Sequence, residues 1–267
     1  LRWTTNFQFS WNKNKVIDLG ANSTIFTGYA NSTQVIEVGR PAGEFYLYYA
    51  VGVYETAEDL KKYPTQTGSV VGSVRYRDIS GPNGVPDGKI TEADRVHMGH
   101  PQPSCTYGIT NSFKYKNWTA SFLITAQTGG KIYGALGRAF DRQGMGTSVN
   151  VLRKWKNMWF SESDPGDGHT PRAWGSGINE EYDSRWLYSS DFIKLKNVTL
   201  AYNWLMPKKA FISNVRLSAS VENVFMIDSY DGGYSPESNN STSRISSYDY
   251  GAYPMARTFN FGVNIQF

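Results

Sequence analysis

The sequence predicts an all-β fold, a transmembrane antiparallel β-barrel segment of about eight strands with long extracellular loops. Three observations predict it. Several stretches alternate between apolar residues and small uncharged polar ones, the period of a strand with two unlike faces. These stretches run to ~10–13 residues, where a globular strand has ~5–6 and a tilted membrane strand needs ~9–11. The connections also alternate between short and long, as in barrels with tight turns at one end and long loops at the other.

Composition agrees. Of 267 residues 15% are aromatic, and only 19% are charged, below the roughly 25% of a soluble globular domain. A mean hydropathy of −0.47, with no run near the ~18 apolar residues of a membrane helix, excludes a helical membrane protein. It leaves a barrel open, because there only alternate residues face lipid. The net charge of +4 is scattered, and the basic runs are pairs such as Lys61-Lys62 and Lys208-Lys209, so no nucleic-acid partner is expected. Cys105 is the only cysteine, which excludes an internal disulfide. Leu1 opens directly into a strand pattern without a start Met, so the chain is expected to be a piece of a longer protein.

Residues 1–12 form the first predicted strand, with Leu1, Trp3, Phe7, Phe9 and Trp11 opposite Arg2, Thr4, Asn6, Gln8, Ser10 and Asn12. The Asn-, Ser-, Thr- and Gly-rich stretch 14–43 reads as a long loop, the aromatic run 44–54 as a strand, 55–62 as one helical turn and 73–78 as another strand. Residues 105–115 and 118–127 alternate on either side of a tight turn and read as a hairpin with matched faces. The stretch 129–190 lacks sustained alternation and reads as an insertion with a short helix around 151–160. Strands return at 192–204 and 213–225, joined by a turn at 206–209; a Ser-, Asn-, Tyr- and Gly-rich loop at 226–254 follows. In the last strand Met255, Arg257, Phe259, Phe261, Val263, Ile265 and Phe267 oppose Ala256, Thr258, Asn260, Gly262, Asn264 and Gln266.

A soluble, carbohydrate-binding β-sandwich also alternates, but it places Lys, Glu and Asp freely on its outer faces. Here the polar faces are mostly Ser, Thr, Asn, Gln and Gly. Aromatic residues near strand ends (Trp3, Trp11, Tyr115, Trp118, Trp204, Phe267) suit interfacial girdles against outer-membrane lipid.

Six segments in order resemble the SusC/RagA family of TonB-dependent outer-membrane transporters of Bacteroidetes. They are 38–45 (VGRPAGEF), 77–90 (RDISGPNGVPDGKI) with Asp94-Arg95, 115–118 (YKNW), 192–202 (FIKLKNVTLAY), 220–225 (SVENVF) and 250–257 (YGAYPMAR). The resemblance implies a barrel of about 22 strands, of which residues 1–267 would be the C-terminal part, with the plug domain and TonB box outside this chain. It implies import of oligosaccharides or peptides across the bacterial outer membrane, driven through TonB and assisted by a SusD-like surface lipoprotein. It also implies that Phe267 is the aromatic signal read by the barrel-assembly machinery. A non-transporting surface adhesin barrel is the alternative from another class.

Three sets of residues are candidate sites. Asp87-Gly88, Ile90 and Asp94 resemble the second half of an EF-hand-type loop, with Asn83 in the first ligand position and Asp78 able to reach in, so Ca2+ is the candidate metal. Val85, Pro82 and Pro86 depart from that pattern, and the competing reading is an acidic turn held by side-chain-to-backbone bonds. Trp174, Trp186, Tyr230, Tyr234 and Tyr248 in the aromatic loops can stack on substrate or partner, or simply pack the loops together. Asp164, Asp167, Glu180, Glu181 and Asp183 have no strand context that sets a glycosidase separation, and His97, His100 and His169 give only a weak His-x-x-His. No enzymatic activity is expected.

Overall fold

A computed structural model describes residues 1–267 except for 82, 142–152, 174–180, 208–210 and 242–246. Six long strands form one antiparallel sheet: β1 (Arg2–Trp11), β2 (Cys105–Tyr115), β3 (Trp118–Thr128), β4 (Phe192–Leu205), β5 (Asn214–Asp228) and β6 (Thr258–Gln266), in that spatial order. Every neighbour in space is a neighbour among the six in sequence. The sheet is open, with β1 and β6 at its edges.

Register explains the two faces. One row runs Trp3, Phe113, Ala120, Leu200, Ala219, Phe261 across all six strands, and the adjacent row runs Thr4, Ser112, Ser121, Thr199, Ser220, Asn260. The side-chain period of two keeps apolar and polar sets apart, with Thr5 and Asn111 in an apolar row and Leu123 in a polar one as exceptions. No second sheet covers the apolar face among the described residues, and Phe261 is 83% exposed on it. That bare face is incompatible with the soluble sandwich, whose core lies between two sheets.

Strand β4 breaks alternation once. Counting back from Trp204 through Tyr202, Leu200 and Val198 would put Lys196 and Lys194 on the apolar face. An irregularity between Leu195 and Asn197 in both of its ladders resets the parity. Ile193 and Leu195 therefore join the apolar rows opposite Ala126 and Ile124, and Lys194 turns to the polar face.

The β2–β3 turn is Lys116-Asn117, with Lys116 in the left-handed region at φ 51°. It lies at the same end as the β4–β5 turn. The other end carries three long connections, 12–104, 129–191 and 229–257. They fold into a cap with its own short strands. Thr24–Thr27, Gln34–Glu37, Glu44–Tyr48 and Arg95–His97 make one antiparallel sheet; Ala50–Val53 pairs with Val74–Tyr76, and Lys131–Tyr133 with Leu187–Ser189.

Two segments expected as barrel strands, 44–54 and 73–78, thus belong to the cap, leaving six long strands where about eight were expected. The reason is burial on both sides. Phe45 and Leu47 are fully buried, and Tyr48, Val53, Tyr54, Val74 and Tyr76 nearly so. A lumen-facing strand needs a polar alternate face, which the aromatic run lacks. The expected long loop 14–43 likewise holds two cap strands. The helical turn expected at 55–62 appears as a helix at Asp59–Lys62. The helix expected at 151–160 shortens to a 3-10 turn at Arg153–Asn157, with 151–152 outside the described residues. A helix at Ala135–Asp141 had no periodic signal.

Candidate functional site

The principal buried apolar cluster lies in the cap, not on the sheet. Phe45, Leu47, Tyr133, Ala135 and Trp186 form it, with Tyr29, Met98, Tyr182, Leu187 and Tyr248 packed around. Three long connections contribute, and the bridges Tyr48–Asp183 and Tyr133–Tyr248 stitch them together. Tyr29 is the hub: its ring lies 6.2 Å from Tyr133, 6.0 Å from Tyr182, 5.5 Å from Tyr248 and 5.8 Å from Tyr250. This arrangement ties the three long connections into one cap.

The candidate stacking residues separate by environment. Trp186 and Tyr248 are part of, or packed against, the cap core. The Tyr230 hydroxyl donates to Asp249 Oδ2 at 2.9 Å, and its ring meets Tyr188 edge-on at 5.3 Å. Burial first, and then the Asp249 charge, push the Tyr230 phenol well above its ordinary range. Tyr234 is 66% exposed and free to touch a ligand or partner. Trp174 lies outside the described residues. Tyr250 and Tyr253, both exposed, extend the accessible aromatic surface.

The acidic loop is built around Asp94, fully buried. Its Oδ1 accepts from the Ile79 and Ser80 N–H groups at 2.8 and 3.1 Å, and its Oδ2 from the Thr91 N–H at 2.7 Å, closing a capping box. Asp78 Oδ2 accepts from Gly88 N–H at 2.7 Å, and Asp87 Oδ1 from Lys89 N–H at 3.0 Å. These carboxylate oxygens serve backbone donors, whereas Asp78 Oδ1 is buried without a hydrogen-bond partner among the described residues, and Asn83 is exposed. A calcium shell needs about six to eight oxygens facing one point. Among the described residues, no group of three or more His, Cys, Asp or Glu side chains is placed to hold a metal ion. The bonds to Asp78, Asp87 and Asp94 are those an acidic turn makes.

The remaining acids and histidines are also dispersed. Asp167 caps His169 and Thr170; Asp183 is buried and takes Tyr76 and Arg185. His97 sits between Glu37 at 3.3 Å and Glu44 at 2.9 Å, whereas His100 Nδ1–H donates to the Gln102 carbonyl at 2.7 Å. Glu180 lies outside the described residues.

One contact had no sequence signal. Lys194, on the polar face of β4 and 5% exposed, meets Glu237 of the 229–257 connection at 2.5 Å. That connection is therefore drawn inward over the sheet. Asp249, fully buried, holds its other end by accepting from the Gly251 and Ala252 N–H groups at 2.9 and 3.0 Å. The packing there requires glycine: a Cβ on Gly233 would lie 1.9 Å from Asp249 Oδ2. The site is a mainly neutral polar wall, with Arg2, Lys114, Lys194, Arg216 and Glu222 as its charged members, beneath the aromatic cap.

Phe267 lies at the short-turn end, 73% exposed, its ring 5.2 Å from Phe211. None of the helices among the described residues is long and apolar enough to cross a membrane, which says nothing of strands.

No family model matches the chain. Individual proteins do. TonB-dependent receptor P3 of Formosa agariphila is 30% identical over 281 residues, covering 99% of this chain and 27% of that receptor. TonB-dependent receptor SusC of Bacteroides thetaiotaomicron is 23% identical, covering 99% of this chain and 24% of SusC. The structure of the RagAB peptide transporter superposes with a TM-score of 0.77 at 16% identity, covering 98% of this chain and 26% of that one. The last likeness concerns the fold, a transmembrane antiparallel β-barrel. The chain spans about a quarter of the length of each of these relatives.

Proposed function

The chain is homologous from end to end to TonB-dependent receptors of the SusC/RagA kind, and on that premise we propose that it forms the C-terminal six strands of an outer-membrane import barrel. The single observation that carries this reading is the six-stranded sheet with one apolar and one polar face and all its long connections at one end. The apolar face meets lipid; the polar face lines a lumen that holds the plug and passes substrate. Edge strands β1 and β6 pair with the rest of the barrel, since a membrane leaves no backbone edge unsatisfied. Oligosaccharides or peptides are the proposed cargo, TonB the energy source, and a SusD-like lipoprotein the partner on the cap. Phe267 is the proposed assembly signal.

Deleting the full-length gene and comparing growth on glycans and on peptides, with and without functional TonB, tests this. Loss of growth on one nutrient class, matched by loss of TonB, is the expected result. Unchanged growth and uptake on both classes would sink it in favour of a surface adhesin barrel. The relatives are named receptors and transporters.

A further inference from the structure

Just beyond the long-loop end of β1 the chain continues its ladder for one step, with Asn12 N–H donating to the Ser104 carbonyl at 2.9 Å. Alternation then continues in the side chains. Asn14 turns inward, its Oδ1 accepting from Ala42 N–H at 2.8 Å and its Nδ2 donating to Gln102 at 3.1 Å. Lys13 and Lys15, one step either side, are exposed. Odd positions of β1 carry the apolar face, and its last member, Trp11, is 65% exposed. The lysines therefore follow Trp11 on one side of the chain, directly beyond the end of the lipid-facing surface.

A cleft of about 280 Å³ opens at this point, lined by Trp11, Lys13, Lys15, Pro41, His100 and Gln102 among others. It lies between the extension of β1 and the segment leading into β2, on the paired side of β1 and not on its open edge. Neither lysine has an ion-pair partner among the described residues. The nearby acids are otherwise engaged: Asp18 accepts from Gly20 N–H at 2.9 Å, and Glu37 and Glu44 are taken by Arg40 and His97. Two uncompensated ammonium groups over an aromatic belt match a phosphate at the lipid–water interface.

We propose that the Lys13/Lys15 cleft binds the phosphate of an outer-leaflet lipid headgroup, with Trp11 against the top of its acyl region. The inference rests on the barrel reading, because it needs Trp11 at the membrane surface. It gives the barrel a specific lipid contact at β1.

The test uses the full-length receptor in phosphatidylcholine nanodiscs with or without phosphatidic acid, with retained lipid counted by native mass spectrometry. Phosphatidic acid is expected to be retained, and Lys13→Gln with Lys15→Gln to weaken retention by roughly thirtyfold, near the value for two lysines at an anionic surface. Lys61→Gln with Lys62→Gln, in the cap helix, is expected to change nothing. Equal retention by the Lys13/Lys15 variant, or an equal loss in the Lys61/Lys62 control, overturns the proposal. Displacement by inorganic phosphate at low concentration, without preference for the lipid, overturns it too, by identifying a free-phosphate site. Insertion is read independently from heat-modifiable gel mobility. A receptor that inserts but shows no headgroup preference refutes only this inference, whereas one that fails to insert refutes the barrel reading with it.

Discussion

Asn111 is a polar residue in an apolar row, and its neighbours explain how it is tolerated. Its Oδ1 accepts from Trp3 Nε1–H at 2.9 Å and from the Thr5 hydroxyl at 2.7 Å. Alternation in the sequence passes over Thr5 and Asn111 as gaps; the cross-strand register Thr5↔Asn111 makes them one satisfied unit. Asn111→Leu is expected to cost about 1 kcal/mol by orphaning two donors, and the double variant with Thr5→Val to recover only the hydroxyl's share, since the Trp3 N–H stays unpaired. Urea unfolding of the full-length receptor in lipid measures both. In the acidic loop, Asp94→Ala would leave the part-buried N–H groups of Ile79, Ser80 and Thr91 without their acceptor, at about 1 kcal/mol. Calcium titration of the native loop is expected to leave its protease sensitivity unchanged, and protection by calcium would restore the ion. Two carboxyls give opposite pH signs. Burial would raise Asp167, but backbone bonds from Thr170 and His169 bring it below the usual range. Its contribution is present above the unfolded-state value and is lost as pH falls through the folded one. Glu181 is raised by burial, so its effect on stability turns unfavourable as pH climbs from the ordinary carboxylate range through the raised value. Limited proteolysis of the 161–170 turn at acid pH reads the first, with cleavage expected to increase.

Strand β4 shows what an element can absorb. Deleting Lys196 removes the residue that interrupts the β3–β4 ladder and leaves Leu195 and Asn197 on the faces they already occupy. The variant is expected to assemble into a heat-modifiable barrel as well as the parent. Inserting one alanine between Val198 and Thr199 would instead carry Lys194 to the lipid face, and assembly is expected to fail. The long strands were legible because lipid and lumen impose one rule on every residue of Trp3, Phe113, Leu200 and Phe261. The cap strands were not. Phe45, Leu47 and Tyr48 form a continuous apolar run, and such a run looks the same in a membrane strand, a buried cap strand or a core helix. Trp186 shows the same limit at the site: a tryptophan in a Gly-rich loop reads equally as a stacking platform or as core, and its burial decides for core. The Lys194–Glu237 contact spans 43 residues and has no local pattern to announce it.

On the scale of the whole molecule the 229–257 connection is held by two unlike fasteners, the Lys194–Glu237 pair and Asp249. Glu237→Gln leaves Lys194 buried without its counter-charge, a loss below the ~3–5 kcal/mol of a fully buried pair because Glu237 is partly exposed. The expected response is that the connection swings away and Lys194 hydrates, seen as faster amide exchange across 229–241 with the sheet unchanged. Phe45, Tyr133, Trp186 and Tyr248, which meet in one cluster, are drawn from the length of the chain. Contacts between such distant residues carry a loop-closure cost that falls only once the intervening hairpins are in place. The cap core is therefore expected to close late in folding, around strands already laid side by side, so a misordered sheet would carry open, protease-accessible loops.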